Sequence, residues 1–344
     1  MYLPSPLQTI NHPLFDQYQV KVMIKRDDLI HPIISGNKWR KLKYNIEEVK
    51  AQGKKGIISF GGAYSNHIHA LAFACYQDKL PCIGIIRGQS HYANNFTLRW
   101  AEHWQMTLIY VDRITYRRRA EPNYLADLQL QYPDYLIVPE GGSNSLAIPG
   151  VSEVIDELNQ QCSFDTLLTP VGSGGTLAGL IAGDNNQHQL LGIAVLKQGK
   201  TTSSDNLDDL TPNQGTNNDN LTANNYLTDQ VSALLPQAAQ QFDNWLVLPD
   251  FHRGGYAKFS SEDSERILAF TQETGICFDP VYSGKMLLAL IDLIEQGYFA
   301  KDHRIILLHT GGLQGLGGLS ERKVINPQLW PVPPDAPSAN NNLS

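Results

Sequence analysis

Lys38 follows Ser-Gly-Asn and stands at the threshold of a helical pattern, "SGNKWRKLKYN", Ser35 to Asn45. It is either the basic edge of an ordinary helix or an amine aimed from a loop-to-helix corner into a cleft. A second candidate is Gly172-Ser173-Gly174-Gly175-Thr176, where an apolar run passes into a small-residue helix. Glycines let backbone N–H groups converge, and a helix start adds partial positive charge, so this loop suits a phosphate. The other reading is a plain structural bend. No Gly-Lys-Ser/Thr follows, and the G-x-G-x-x-G spacing with a ribose-binding acid is missing, so the phosphate need not belong to a nucleotide.

Ser65 and Asn66 open a helix after Gly61-Gly62. They are a capped start and nothing more, or free N–H groups and a hydroxyl that hold a carboxylate. Thr310 ends an apolar run before Gly311-Gly312 and offers a hydroxyl there, while its neighbour His309 reads as a satisfied core or loop histidine. Tyr256 follows a glycine pair and Tyr282 precedes a helix, each either packing or catalytic. A phosphate cradle, a corner amine, an anion site at another helix start and polar groups at strand ends together suit pyridoxal 5'-phosphate. Its phosphate anchors, its aldehyde condenses with a lysine and its ring takes up electrons.

The elements that must position these groups alternate. Trp39, Leu42, Ile46 and Val49 recur at helical steps until Gly53, and a second helix runs from about Asn66 to Gln77. Strand-like runs read "GIISF" (56–60), "CIGIIR" (82–87), "TLIYV" (107–111), "YLIVP" (135–139), "TLLTPV" (166–171), "LLGIAV" (190–195), "NWLVLP" (244–249) and "RIILLHT" (304–310). Short, nearly continuous apolar strands between helices predict an α/β fold with parallel sheets covered on both faces. Ligands in such folds bind where strand carboxyl ends meet loops. The stretch 200–225, rich in Asn, Asp and Thr and without an aromatic residue, reads as a mobile polar insertion, and positions 327–344 as a loose tail. No internal repeat is visible.

Composition narrows the function. The chain has 344 residues, enough for two domains, and its net charge of -7 argues against nucleic acid or an anionic membrane as partner. Arg117-Arg118-Arg119 read as a solvated face. No run approaches the roughly 20 apolar residues that cross a bilayer, and the N-terminus carries no basic region followed by an apolar stretch, so the protein reads as soluble and cytoplasmic. Cys75, Cys82, Cys162 and Cys277 form no C-x-x-C pair, and His67 and His69, two apart, do not share a helix face; no metal site is expected.

"KRDDLIHPIISGNKWRKL", "GGAYSNH", "VGSGGT", "DPVYSGK" and "HTGG" resemble, in that order, the pyridoxal-phosphate enzymes of the tryptophan synthase β-like fold, and among them the 1-aminocyclopropane-1-carboxylate deaminase and D-cysteine desulfhydrase family. The likeness spans about residues 10 to 320. It implies two open, twisted, mostly parallel sheets covered by helices, with the cofactor in the cleft between domains. Residues 1–51 with 151–326 would form the large domain, 52–150 the small one, and two chains a homodimer. It implies that Lys38 condenses with the cofactor, that Asn66 bonds the ring hydroxyl, and that Ser65 and its helix start hold the substrate carboxylate. Gly172, Ser173, Gly174, Gly175 and Thr176 would grip the phosphate and Thr310 meet the pyridine nitrogen, with Tyr256 and Tyr282 as the two active-site tyrosines. Lys38 or a tyrosine would move the Cα proton, Tyr282 being the first candidate for the leaving group. Arg40, Lys41 and Lys43 remain surface or packing charges.

Members acting on the cyclopropane substrate carry glutamate after the second tyrosine and leucine where Thr310 stands; here the residue after Tyr282 is Ser283. A hydroxyl cannot keep the ring nitrogen protonated, so the resemblance leans toward a lyase that expels hydrosulfide from a small amino acid, D-cysteine first, giving pyruvate and ammonia. The alternatives are the cyclopropane deaminase, yielding 2-oxobutyrate, and a pyridoxal-phosphate binding protein without turnover. Two departures, "GGYAKFSSED" around Tyr256 and His69 in place of the usual arginine, are expected on the substrate side of the cleft.

Overall fold

The computed structural model describes residues 1–34, 36–197 and 226–336. The stretch 200–225 and positions 337–344 lie outside them. The strands are β1 (Leu7–Ile10), β2 (Lys21–Lys25), β3 (Gly56–Gly62), β4 (Cys82–Arg87), β5 (Thr107–Val111), β6 (Tyr135–Val138), β7 (Thr166–Val171), β8 (Gln189–Ala194), β9 (Trp245–Leu248) and β10 (Arg304–Leu308). The α-helices are α1 (Pro13–Gln17), α2 (Asn37–Ala51), α3 (Asn66–Gln77), α4 (Phe96–His103), α5 (Arg113–Arg117), α6 (Pro122–Gln131), α7 (Ala147–Gln161), α8 (Gly175–Asp184), α9 (Tyr226–Leu234), α10 (Ser261–Thr274), α11 (Ser283–Glu295) and α12 (Gly315–Glu321). The eight apolar runs of the sequence are β3 to β10. The short β1 and β2 escape that pattern because Gln8 and Thr9 interrupt the first, and the second has only three apolar residues between Lys21 and Lys25.

Two sheets form, ordered β1-β2-β10-β7-β8-β9 and β5-β4-β3-β6. Every pairing is parallel except β1 with β2, where Leu7 lies opposite Lys25. Alternation places Ile305 and Leu307 in a core with α10 and α11, and Ile306 and Leu308 in a second core with α7 and α8. In the small sheet Ile57 and Ile86 face α3 and α4, while Ile58 and Ile85 face Tyr116 and Leu128. Both sheets are therefore covered on both faces, which is why their strands read as continuous apolar runs.

The order of each sheet reverses once, between β7 and β10 in the large sheet and between β3 and β6 in the small one. Carboxyl-end loops diverge at such points and leave a crevice. Gly172–Thr176 follows β7 and Thr310 follows β10; Ser65 follows β3 and Glu140 follows β6.

Helix α2, expected with residues 1–51 in the large unit, buries Leu42, Ile46 and Val49 in the small sheet's core and packs its other side on α7, where a Cβ on Gly150 would sit 2.1 Å from the Arg40 carbonyl oxygen. In the stretch expected to be loose from Pro327, Trp330 is an apolar ring buried in the large sheet's core, while its neighbours Gln328 and Leu329 are exposed. Asp335 pairs with Arg99 at 2.7 Å. Among the described residues no helix is long and apolar enough to cross a membrane.

Candidate active site

The corner before Lys38 is held by backbone. Gly36 has φ 68°, and a Cβ there would lie 1.9 Å from the Thr310 carbonyl oxygen, so only glycine fits. Asn37 N–H donates to that carbonyl at 3.3 Å, and Asn37 Nδ2 donates to Thr176 Oγ1 at 2.8 Å. The first turn of α2 is thereby fixed between the ends of β10 and β7. Lys38 projects from it into a cavity of about 1370 Å³. Burial pushes its amine down to about 8, since a desolvated site disfavours the charged form.

Thr176 and Ser173 line the same cavity. Gly174, in the left-handed region, caps α8 and lines the cavity beside Gly172 at the start of that helix. A Cβ on Gly175 would sit 2.6 Å from Ser143 Oγ and 3.1 Å from Lys41 Nζ, so the loop is a cradle that a side chain would fill. Lys41 is not a surface or packing charge. It is 2% exposed, and its Nζ donates to Ser143 Oγ at 3.0 Å and more weakly to Gly141 O at 3.4 Å and Ser173 Oγ at 3.5 Å. Burial, and then the charge on Lys38, hold its amine well below the ordinary lysine range. A desolvated cation at a helix N-terminus with only neutral oxygens around it suits a phosphate. The sequence did carry a signal: residues 38 and 41 are three apart and share a helix face.

Ser65 caps α3, accepting from Ile68 N–H at 3.3 Å, and its hydroxyl proton remains available to a ligand. Asn66 lies against Gly312 and Gly315, within the same cavity as Lys38. His67, which the sequence gave no role, also lines the cavity. Its Nε2 meets Ser59 Oγ at 2.7 Å, and its Nδ1 is buried with no protein partner among the described residues. His69 is not on the substrate side. It packs edge-on against Trp104 at 4.8 Å in the small sheet's core; two positions on from His67, it does not share that residue's face of α3.

Tyr256 and Tyr282 meet edge to face with centroids 6.0 Å apart, and both line the cavity. Tyr256 keeps 45% of its surface accessible and borders the open space. Burial holds the Tyr282 phenol above its ordinary value, and the neighbouring Tyr256 adds to this; Tyr256 is raised as well. Ser283 is turned away. Its hydroxyl donates to Asp279 Oδ2 at 2.6 Å and accepts from Asp279 N–H at 3.0 Å. Lys285, in the first turn of α11, is buried and donates to Val195 O at 3.2 Å, His252 O at 2.8 Å and Gly255 O at 2.5 Å, pinning the loop that presents Tyr256. Burial chiefly brings its amine down to about 8. His309 is the satisfied core histidine expected, with Nε2 on Cys277 O at 2.7 Å and a ring stacked on Phe278.

The arginine run is not a uniform solvated face. Arg119 is half-buried on the cavity wall; Arg117, at the cavity rim, and Arg118, paired with Glu121 at 3.0 Å, are exposed. That distinction needs the tertiary fold, because α5 ends and a tight turn begins inside the run.

A family model described as "Pyridoxal-phosphate dependent enzyme" matches residues 2–311. The chain belongs to that family. It is 30% identical over 336 residues to a Thermotoga maritima protein provisionally named a 1-aminocyclopropane-1-carboxylate deaminase, covering 93% of this chain and 97% of the relative. It is 27% identical to the D-cysteine desulfhydrase of Klebsiella pneumoniae, covering 91% and 93%. A solved structure of an ACC deaminase homologue superposes with a TM-score of 0.73 at 25% identity, covering 93% of each chain. The protein is thus an enzyme of the ACC deaminase and D-cysteine desulfhydrase group, with pyridoxal phosphate as cofactor. The residues present fit that group: a glycine cradle with a buried cation for the phosphate, a desolvated amine for the aldehyde, and a strand-end hydroxyl at Thr310.

Proposed function

We propose that this enzyme eliminates the β-substituent of a small amino acid, as a D-cysteine desulfhydrase does, giving pyruvate and ammonia, with hydrogen sulfide when D-cysteine is the substrate. The observation that carries this reading is the surroundings of Thr310. Among the described lining residues the single carboxylate is Glu140, which is paired with Arg119 at 2.6 Å on the small-sheet side. Ser283, where the cyclopropane enzymes carry an acid, turns its hydroxyl to Asp279. A hydroxyl donates a hydrogen bond without holding the pyridine nitrogen protonated, and that weaker electron demand suffices when the leaving group is good.

When bound, pyridoxal phosphate supplies the electron sink for carbanion chemistry at Cα. Lys38, with its amine near 8, is partly neutral at pH 7 and accepts the Cα proton; such general-base catalysis contributes roughly 10² to 10⁴-fold. Ser65 and the start of α3 orient the substrate carboxylate, and Gly172 to Thr176 with Lys41 hold the phosphate. Asn66 steadies the ring. The two phenols, protonated at neutral pH, both line the cavity and are candidates to give a proton to the departing sulfur, Tyr282 first.

The test is product identification on D-cysteine, β-chloro-D-alanine, L-cysteine, D-serine and 1-aminocyclopropane-1-carboxylate. Pyruvate from the β-substituted amino acids is expected; 2-oxobutyrate from the cyclopropane acid, with no pyruvate, would replace this reading by the deaminase one. No keto acid from any of them would leave a binding protein. Lys38→Ala should abolish turnover and the borohydride-fixed adduct, and capture of the cofactor by wild-type apoprotein should quicken as pH rises through about 8.

A further inference from the structure

Lys285 is a fully buried amine with no part in the chemistry described so far. It follows Tyr282 by three residues and so shares its face of α11. Among the described residues no carboxylate pairs with it: Asp263 closes the cap of α10, and Asp279 accepts from the N–H groups of Val281, Tyr282 and Ser283. Its Nζ instead meets three carbonyl oxygens, Val195 just past β8 at 3.2 Å, and His252 and Gly255 in the loop before Tyr256 at 2.8 and 2.5 Å. Three acceptors match the three N–H groups of an ammonium. A neutral amine has two, and would turn its lone pair on the third oxygen. The loop needs such an anchor. Arg253, Gly254, Gly255 and Ala257 have φ of 52°, 92°, 111° and 53°, so two residues with side chains are held in the left-handed region. Arg253 is also tied to α11, through Asp292. Helix α11 thus carries Tyr282 at its cap and fixes Tyr256 through Lys285.

We propose that the Lys285 ammonium is a positioning group for leaving-group protonation: it holds the Tyr256 loop against Tyr282, and loss of its proton loosens that loop and misplaces the phenols. This rests on the elimination reading and adds an alkaline limit to it. Burial chiefly brings the amine down to about 8, so the ammonium prevails at pH 7 and is lost as pH climbs through about 8. Around it, Asp279 and Asp263 favour the charge and Arg253 opposes it. His252, kept below its usual value by burial and then by Lys285 and Lys197, is neutral in that range. Both phenols are raised above their ordinary value and titrate later. With D-serine the Cβ–oxygen bond breaks with its electron pair on oxygen, a phenol gives that oxygen a proton, water departs, and solvent reprotonates the phenol. With β-chloro-D-alanine, chloride departs with the pair and needs no proton. In both, the Cα proton goes to the base and water completes pyruvate and ammonia.

The experiment measures kcat on these two compounds with the holoenzyme, from below to above pH 8, because kcat reports groups in the substrate complex. Lys38 takes the Cα proton from both, so its titration cancels in their ratio. In wild type the ratio of D-serine to β-chloro-D-alanine turnover should fall as pH climbs through about 8. Lys285→Met should make it low and flat. Its kcat on D-serine at pH 7 should drop by roughly 10 to 100-fold, since misplacing a group by about 1 Å can cost about 10², while the chloride compound changes little. Equal losses on both compounds would mean a merely structural lysine and overturn the inference; so would a wild-type ratio independent of pH, or a fall that survives in the variant. Where the variant does not fold or D-serine is not turned over, amide exchange at residues 253–258 of the wild-type holoenzyme decides. Protection, corrected for the intrinsic rate, should drop through about pH 8; protection that holds refutes the clamp. Pyruvate from neither compound fails the elimination reading, while the exchange result still tells whether Lys285 holds the loop.

Discussion

Helix α2 carries two buried cations one residue apart, Arg40 and Lys41, and they face opposite surroundings. Arg40 is 1% exposed and fully answered within the chain: Nε and Nη2 donate to Asp27 at 2.7 and 2.8 Å, Nη1 and Nη2 to Glu157 at 3.0 and 3.1 Å. Lys25 completes the set at 2.6 Å from Glu157, giving two cations and two carboxylates. Burial opposes the charge on Arg40, but Asp27 and then Glu157 more than offset it and hold the guanidinium above its ordinary value. Lys41 is equally buried, has only hydroxyl and carbonyl partners, and is driven the other way. A desolvated charge matched inside the chain contributes to the fold; one left unmatched is a place where a ligand supplies the counter-charge.

The largest expected effect lies on the matched side. Arg40→Met leaves Asp27 and Glu157 without their main partner, and removing one member of a buried pair costs about 3–5 kcal/mol. Urea unfolding of the apoprotein should register that loss, while molecules that remain folded still take up pyridoxal phosphate with near-normal affinity. A variant as stable as wild type, or one that folds but cannot bind the cofactor, would break the contrast.

Lys41→Met should behave in the opposite way. The apoprotein loses a desolvated, poorly paired amine and keeps or gains stability. Affinity for pyridoxal phosphate, titrated through its absorption, should fall by roughly 10 to 100-fold, the worth of one charge-assisted hydrogen bond. Pyridoxal without phosphate should bind wild type and variant alike. A loss of the same size for both ligands would show that Lys41 shapes the pocket rather than holding the phosphate.

The contrast also explains what was legible beforehand. The strands β3 to β10 and the parallel class were readable because strands buried on both faces are continuous apolar runs, as in "CIGIIR". Lys38 was readable because Gly36 has one conformational reason to precede it. Arg40, Lys41 and Lys43 look alike in the sequence, since what separates them is a partner far along the chain: Glu157 for the first, Ser143 for the second, Glu153 for the third. The same holds for Ser283, whose neighbour to Tyr282 suggested the cleft while Asp279, four residues back, holds it in the core.

Lys43 should give the smallest effect and so calibrates the other two. Its Nζ lies 2.5 Å from Glu153 Oε1, beside Tyr44 OH at 2.8 Å from the same oxygen, with about a quarter of each ion-pair side chain exposed. Burial lowers its pKa and the hydrogen bond and charge of Glu153 raise it, with a net rise. Since the folded value is above 10.5, this pair contributes fully below that pH and is lost as pH climbs through the raised value. Lys38 has the reverse sign: its folded value near 8 means that apoprotein stability rises with pH between about 8 and 10.5. Lys43→Ala should therefore cost only ~0.5 kcal/mol at pH 7, less in high salt, and nothing in cofactor affinity. A cost of several kcal/mol there would mean that exposure does not separate the three cations, and the distinction between matched and unmatched charge would have to rest on Glu157 and Ser143 alone.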